Sequence, residues 1–202
     1  MGYAIREENV GAYYHVGTRG NNKRPIYSTD STRQVFLLML GRLTRRHDWR
    51  VVAYCLMGNH YHLVLQLGDA GMSRGMQQLN SGYARWFNEW ERRRDHLFGR
   101  RYWSRELTGD DDLVETCTYI DANPMRSFGI RPELWPWSSY RASAGLEPPT
   151  PFHRVNDLWR VIHPDPRKAI DAYTTEMAHS LQGARPVSDT GSKRATPPAR
   201  RA

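Results

Sequence analysis

His60 and His62 flank Tyr61 within an apolar run that spans residues 50–67. Successive side chains of a strand point to opposite faces, so the two imidazoles share one face and Tyr61 takes the other. Two imidazoles on adjacent same-face positions of a rigid strand make half of a site for a divalent cation. The same spacing suits two hydrogen-bonding histidines on a half-exposed sheet, and a His-x-His pair by itself does not choose between the two. Tyr119 and Asn123 form the second candidate half. Spaced i to i+4, they share a flank of a helix whose buried stripe is Leu113, Cys117, Ile120 and Pro124. A phenol with a pKa of about 10 is a poor nucleophile at neutral pH. Beside a divalent cation it can attack phosphorus, because the ion neutralises the phosphate and stabilises the developing charge. The amide oxygen of Asn123 can then serve as a third ligand, which leaves positions open for phosphate oxygens and water. The plainer alternatives are a partly buried helix aromatic for Tyr119 and a helix-ending role, before Pro124, for Asn123.

The elements that must position these groups are legible in outline. Gly58-Asn59 reads as a tight hairpin turn between strands at about 50–57 and 60–67, with Tyr61, Leu63, Leu65 and Leu67 facing a core. A first strand is predicted at 13–18, followed by a loop at 19–25. Ser31 and Gln34 have capping-box spacing and open a helix to about His47. A second helix fits residues 72–91, where Met72, Met76, Leu79, Tyr83, Trp86 or Phe87, and Trp90 keep helical spacing as core residues. A basic loop at 92–101 precedes a short strand at 102–107, and Asp110, Asp111 and Asp112 suit the start of a helix running to Ala122 or Asn123. The order β-α-β-β-α-β-α predicts an α+β fold of ferredoxin-like type: an antiparallel sheet with helices packed on one face and strands two and three joined as a hairpin. Beyond Phe128 the chain reads as loop, anchored by Trp135, Trp137 and Tyr140, until a last helix opens at Asp165-Pro166. The expected organisation is a domain at 1–142, a C-terminal extension with a docking helix at 143–182, and a disordered basic tail at 183–202.

Composition narrows the partners. The chain of 202 residues carries a net charge of +8, and its pI is about 9.8. Half of that charge sits in residues 183–202, where five cations face Asp189 alone. The rest is clumped at Arg42/Arg45/Arg46, Arg92/Arg93/Arg94 and Arg100/Arg101/Arg105, with Trp86, Trp90, Phe98, Tyr102 and Trp103 interleaved. Guanidinium clusters beside aromatics suit a phosphate backbone with bases stacked alongside, although Arg92–Arg94 also suits a solvated helix end. Two cysteines, Cys55 and Cys117, make no disulfide framework and suit a reducing compartment. No signal-like or membrane-length apolar run is visible, so a soluble cytoplasmic protein without a membrane partner is expected.

Four ordered stretches carry a family resemblance: Tyr14-His-Val-Gly-Thr-Arg-Gly-Asn21, Leu56-Met-Gly-Asn-His-Tyr-His-Leu-Val-Leu65, Tyr119-Ile-Asp-Ala-Asn-Pro-Met-Arg126 and Trp135-Pro-Trp-Ser-Ser-Tyr140. Across roughly residues 13–142 the chain resembles the REP-associated tyrosine transposases, a branch of the single-tyrosine HUH transposases of the insertion-sequence 200 type. The resemblance implies the HUH nuclease fold and a metal-dependent enzyme that cleaves and rejoins single-stranded or hairpin DNA. It implies that His60 and His62 hold Mg²⁺ or Mn²⁺ and that Tyr119 is the nucleophile, forming a 5′-phosphotyrosine bond and freeing a 3′-hydroxyl. Asn123 stands where the wider superfamily has a metal-binding glutamine one turn after the tyrosine, and it is shorter. Gly58 stands where family members often have proline. Imidazole ligands suit Mn²⁺ better than Mg²⁺, against the greater cellular abundance of Mg²⁺. Arg19, Arg100, Arg101 and Arg105 are candidate phosphate contacts, and Trp103 with Tyr102 is a candidate stacking platform. Relatives act as monomers or as homodimers. Two other readings compete: a DNA-hairpin-binding protein that no longer cuts, and a metal-free RNA-binding module of similar topology.

Overall fold

The structure, a computed structural model, describes residues 8–182; the basic tail expected to be disordered lies outside the described residues. Four strands and three helices follow in the order β1 (Tyr13–Arg19), α1 (Asp30–Arg46), β2 (Arg50–Leu56), β3 (His60–Gln66), α2 (Ser73–Trp90), β4 (Trp103–Glu106) and α3 (Gly109–Asp121). Shorter helices follow, α4 (Asn123–Phe128), α5 (Tyr140–Ser143) and α6 (Val155–Ile162), and then the longer α7 (Pro166–Leu181). The sheet has the order β2-β3-β1-β4 with every neighbouring pair antiparallel, which is the expected ferredoxin-like α+β arrangement.

The Tyr61 face carries the main core. Tyr61 packs against Phe36 of α1 at 4.7 Å between ring centroids, and its hydroxyl donates to Asn80 Oδ1 of α2 at 2.6 Å. Val16, Leu63, Leu65, Leu40, Met76 and Leu79 are fully buried around them, and each such side chain contributes about 1.5–3 kcal/mol. The two long helices thus share one face, as expected. α3 lies on the other face, where the ring of Tyr119 is near that of His62. Helices thus lie on both faces rather than on the one face expected, and α3 covers the histidine face only in part, leaving Trp103 and Tyr119 partly exposed.

Local signals placed several boundaries differently. The cap of α1 is Thr29, not Ser31: Thr29 Oγ1 accepts from the Thr32 amide and Thr32 Oγ1 accepts from the Thr29 amide, so a threonine does what Gln34 was expected to do. Pro124 does not end the helical region. Ala122 keeps helical dihedrals, and Pro124 sits in the first turn of α4, where a missing N–H costs nothing. Residues beyond Phe128 are not all loop, because Val155, Leu158, Trp159 and Ile162 form the apolar stripe of α6. α7 begins as expected, with Asp165 Oδ1 accepting from the Arg167 amide and Tyr173 and Met177 buried.

The turn before the histidines is closed by Met57 N–H donating to His60 O at 2.9 Å. Its free carbonyls are taken up by the loop after β1: Ile26 N–H donates to Gly58 O at 3.1 Å and Gly20 N–H to Asn59 O at 2.8 Å. A Cβ at Gly58 would meet open space, so nothing in the packing demands glycine there.

Candidate metal–tyrosine site

Antiparallel register assembles the site from three strands. Gly17 of β1 pairs with His62 of β3 on one side and with Trp103 of β4 on the other, while His15 pairs with Arg105 and Arg19 with His60. His15, Gly17, His60, His62, Trp103 and Arg105 therefore line one face. Gly17 is required by this layout. A Cβ there would lie 2.8 Å from Trp103 Cζ2 and 2.9 Å from the Tyr61 carbonyl oxygen, so the bare backbone makes room for the indole. Trp103 meets His15 edge-on at 4.6 Å and His62 at 5.9 Å between ring centroids, yet stays 42 % exposed. It keeps a ring surface open to solvent beside the histidines.

The three imidazoles are coupled. His60 and His62 stand perpendicular with centroids 5.1 Å apart, and His15 Nε2 is 3.0 Å from His62 Nδ1. His60 Nδ1 is 2.7 Å from Asn59 Oδ1. Burial lowers the pKa of His15 and of His60 to about 3, with the nearby His62 adding to both shifts. Burial lowers His62 to about 4, with Arg19 adding to it. All three rings are thus neutral at pH 7, the state in which imidazole offers a lone pair to a cation. Two neutral imidazoles on one strand face fit a divalent ion. Among the described residues no three His, Cys, Asp or Glu side chains are grouped so as to hold a metal ion, and His60 and His62 remain a candidate pair of donors.

Tyr119 stands over this face with its ring 6.3 Å from both His15 and His62, and it is 45 % exposed. Arg126 lies over the phenol ring, its Cζ 4.8 Å from the ring centroid. The same guanidinium donates to Tyr119 O at 3.3 Å and to Ser180 Oγ of α7 at 2.8 Å. Asn123, the third expected ligand, is buried, and its Nδ2 donates to the carbonyls of Tyr119 and Ile120, each at 3.1 Å. Its nitrogen thus closes the end of α3. Asp121 anchors α3 from below, accepting from Ser139 Oγ and from Tyr173 Oη of α7, both at 2.8 Å. Burial raises its pKa to about 7, although both hydroxyls oppose the shift.

The expected DNA contacts separate. Arg19 is exposed at the end of β1 beside the histidines. Arg100 and Arg101 line, with Arg74, Gln77, Asn80, Phe98 and Tyr102, an open cleft of about 680 Å³ along α2. Arg105 is exposed but already paired: it grips Asp112 through two bonds of 2.8 and 2.9 Å and reaches Thr116 Oγ1 at 3.0 Å. That pairing holds the Asp112 carboxyl at about 2 and ties β4 to the start of α3. Sequence reasoning missed His15, Gly17, Asn59 and Arg126 as parts of the site. The alternation of His15 and Gly17 along β1 was the available signal.

An antiparallel four-stranded sheet presenting a histidine pair beside a tyrosine from the helix after its last strand defines an α+β class with a divided polar site. A model of the family described as "Transposase IS200 like" matches residues 9–123, more than half of the chain, and the chain belongs to that family. His60, His62, Tyr119 and Asn123 all lie within the matched span. A Haemophilus influenzae protein named as a REP-associated tyrosine transposase is 23 % identical over 154 residues, covering 70 % of this chain and 87 % of its own. The solved structure of a REP-associated tyrosine transposase bound to a REP hairpin superposes with a TM-score of 0.60 at 18 % identity, covering 73 % of this chain and 89 % of that one. That likeness shows the fold. No described helix is long and apolar enough to cross a membrane.

Proposed function

We propose that the protein is a REP-associated type of transposase: a metal-dependent endonuclease that cleaves and rejoins single-stranded DNA at hairpin-associated sites through a 5′-phosphotyrosine. The observation that carries the reading is the half-exposed Tyr119 ring placed 6.3 Å from that of His62 within one chain. A nucleophile and a neutral donor pair stand on the same open face.

Tyr119 Oη attacks the scissile phosphorus in line with the 3′-oxygen. The Oη–P bond forms, the P–O3′ bond breaks, the phenolic proton is lost and the departing 3′-oxygen gains a proton. A second 3′-hydroxyl then reverses the step, and Tyr119 recovers its proton. One phosphoester replaces another at each stage, so no nucleotide hydrolysis is required. Bound by His60 and His62, with Asn123 Oδ1 as a further candidate ligand, Mg²⁺ or Mn²⁺ supplies charge neutralisation at the phosphate. Arg126 holds the phenol against the site, Trp103 offers a stacking surface for an unpaired base, and Arg19, Arg100 and Arg101 meet the backbone.

Full-length protein incubated with hairpin single-stranded oligonucleotides and Mn²⁺ is expected to give a covalent protein–DNA band on a denaturing gel. Tyr119→Phe is expected to remove the band while still retarding the hairpin on a native gel. Hairpin binding by the wild type with no covalent band would instead mark a DNA-binding protein that does not cut.

A further inference from the structure

We propose that His15 and Asn59 are positioning residues that set the ring tautomers of His62 and His60, so that both rings keep an Nε2 lone pair for the cation. The inference rests on the metal reading of the site and adds to it the groups that make His60 and His62 competent. At His60 the orientation follows from one amide. Asn59 Nδ2 donates to Lys23 O at 2.9 Å, which fixes which end of the amide faces the ring. Asn59 Oδ1 therefore sits 2.7 Å from His60 Nδ1. An amide oxygen only accepts, so Nδ1 carries the proton and Nε2 the lone pair. The loop after β1 thus reaches into the site through the side chain of the turn.

At His62 the partner is another imidazole, on the neighbouring strand. His15 pairs with Val64 and His62 with Gly17, so the two histidines are diagonal neighbours across β1 and β3. A single proton occupies the 3.0 Å contact between His15 Nε2 and His62 Nδ1. If it resides on His62 Nδ1, the ring presents a lone pair at Nε2. If it resides on His15, the proton of neutral His62 moves to Nε2 and an N–H points at the cation position. The tautomer of His15 is therefore transmitted to His62. Trp103, edge-on to His15 at 4.6 Å, fixes the ring that transmits it. Partners of this kind behind a ligating histidine are typically worth about 10–100-fold in metal affinity.

Long-range ¹H–¹⁵N spectra of the metal-free, full-length protein read the tautomers directly, without any catalytic step. Both His60 and His62 are expected to carry the proton on Nδ1. His15→Phe, which removes the acceptor, is expected to move the His62 proton toward Nε2 and to weaken Mn²⁺ binding in calorimetry by about 10–100-fold. His15→Gln, which returns an acceptor oxygen, is expected to recover most of that affinity. An Nε2–H form of His62 or of His60 in the wild type overturns the proposal, and so does unchanged Mn²⁺ affinity in a folded His15→Phe. Failure of the wild type to bind Mn²⁺ at all would strike the metal reading itself. The wild-type spectrum needs no variant to fold.

Discussion

Tyr119 is aimed by contacts that its motif does not display. Arg126 stacks on the phenol at 4.8 Å and also bonds the Tyr119 carbonyl, so one guanidinium fixes both ring and backbone. A cation–π contact of this kind is worth about 0.5–2 kcal/mol, so Arg126→Ala is expected to slow single-turnover adduct formation by about 2–30-fold. An unchanged rate in the folded variant would show that the stacking does not aim the phenol. Gly17 makes a second test. A methyl group there meets both the Trp103 indole and the Tyr61 carbonyl, and backbone cannot yield as a side chain can. Gly17→Ala is expected to lose about 1–3 kcal/mol in urea denaturation. The His60/His62 pair was legible because strand alternation and the turn before it are local properties. His15 was not, since its contact with His62 spans 47 residues and depends on the register between β1 and β3.

At the scale of elements, the helix that carries Tyr119 is held at both ends. Arg105 and Asp112 pin its start to β4, and Asp121 ties its end to Ser139 and to α7 through Tyr173. Asp121→Ala leaves the buried Tyr173 hydroxyl without an acceptor, takes from Ser139 Oγ its shorter one, and is expected to lose about 2–4 kcal/mol by thermal or denaturant unfolding. Asp121→Asn is expected to lose about 1 kcal/mol or less, because its amide can donate to Ser139 Oγ, whose own proton can turn to Tyr54 O at 3.3 Å. Equal losses in the two variants would contradict the network. Helices with long apolar stripes, α1, α2 and α3, were readable from periodicity. α6 was hidden by its length of eight residues, and α4 by a proline that starts a helix as readily as it stops one.

For the whole molecule, net charge overstates the surface offered to DNA. Arg24 and Arg93 both pair with Asp95, and Arg105 is committed to Asp112. Arg19, paired with His60 at the end of β1, and Arg100, on the cleft along α2, are both exposed. Substituting either by Ala is expected to weaken hairpin binding and to reduce the slope of log K against log[salt] by about 0.7–0.9 for each phosphate the arginine had neutralised. Arg105→Ala is expected to act through stability, by freeing α3 from β4. His62 and Tyr119 stand together within one chain, so the proposed site is assembled without a residue from a second copy.

A covalent bond between Tyr119 and DNA is the step on which the proposed function turns. Mass spectrometry of the protein after reaction with a hairpin oligonucleotide and Mn²⁺, followed by nuclease and trypsin digestion, reads that bond directly. The expected result is a nucleotide-bearing peptide of residues 106–126 with the modification on Tyr119. A nucleotide on any other residue, or cleaved DNA with no modified peptide, would contradict it.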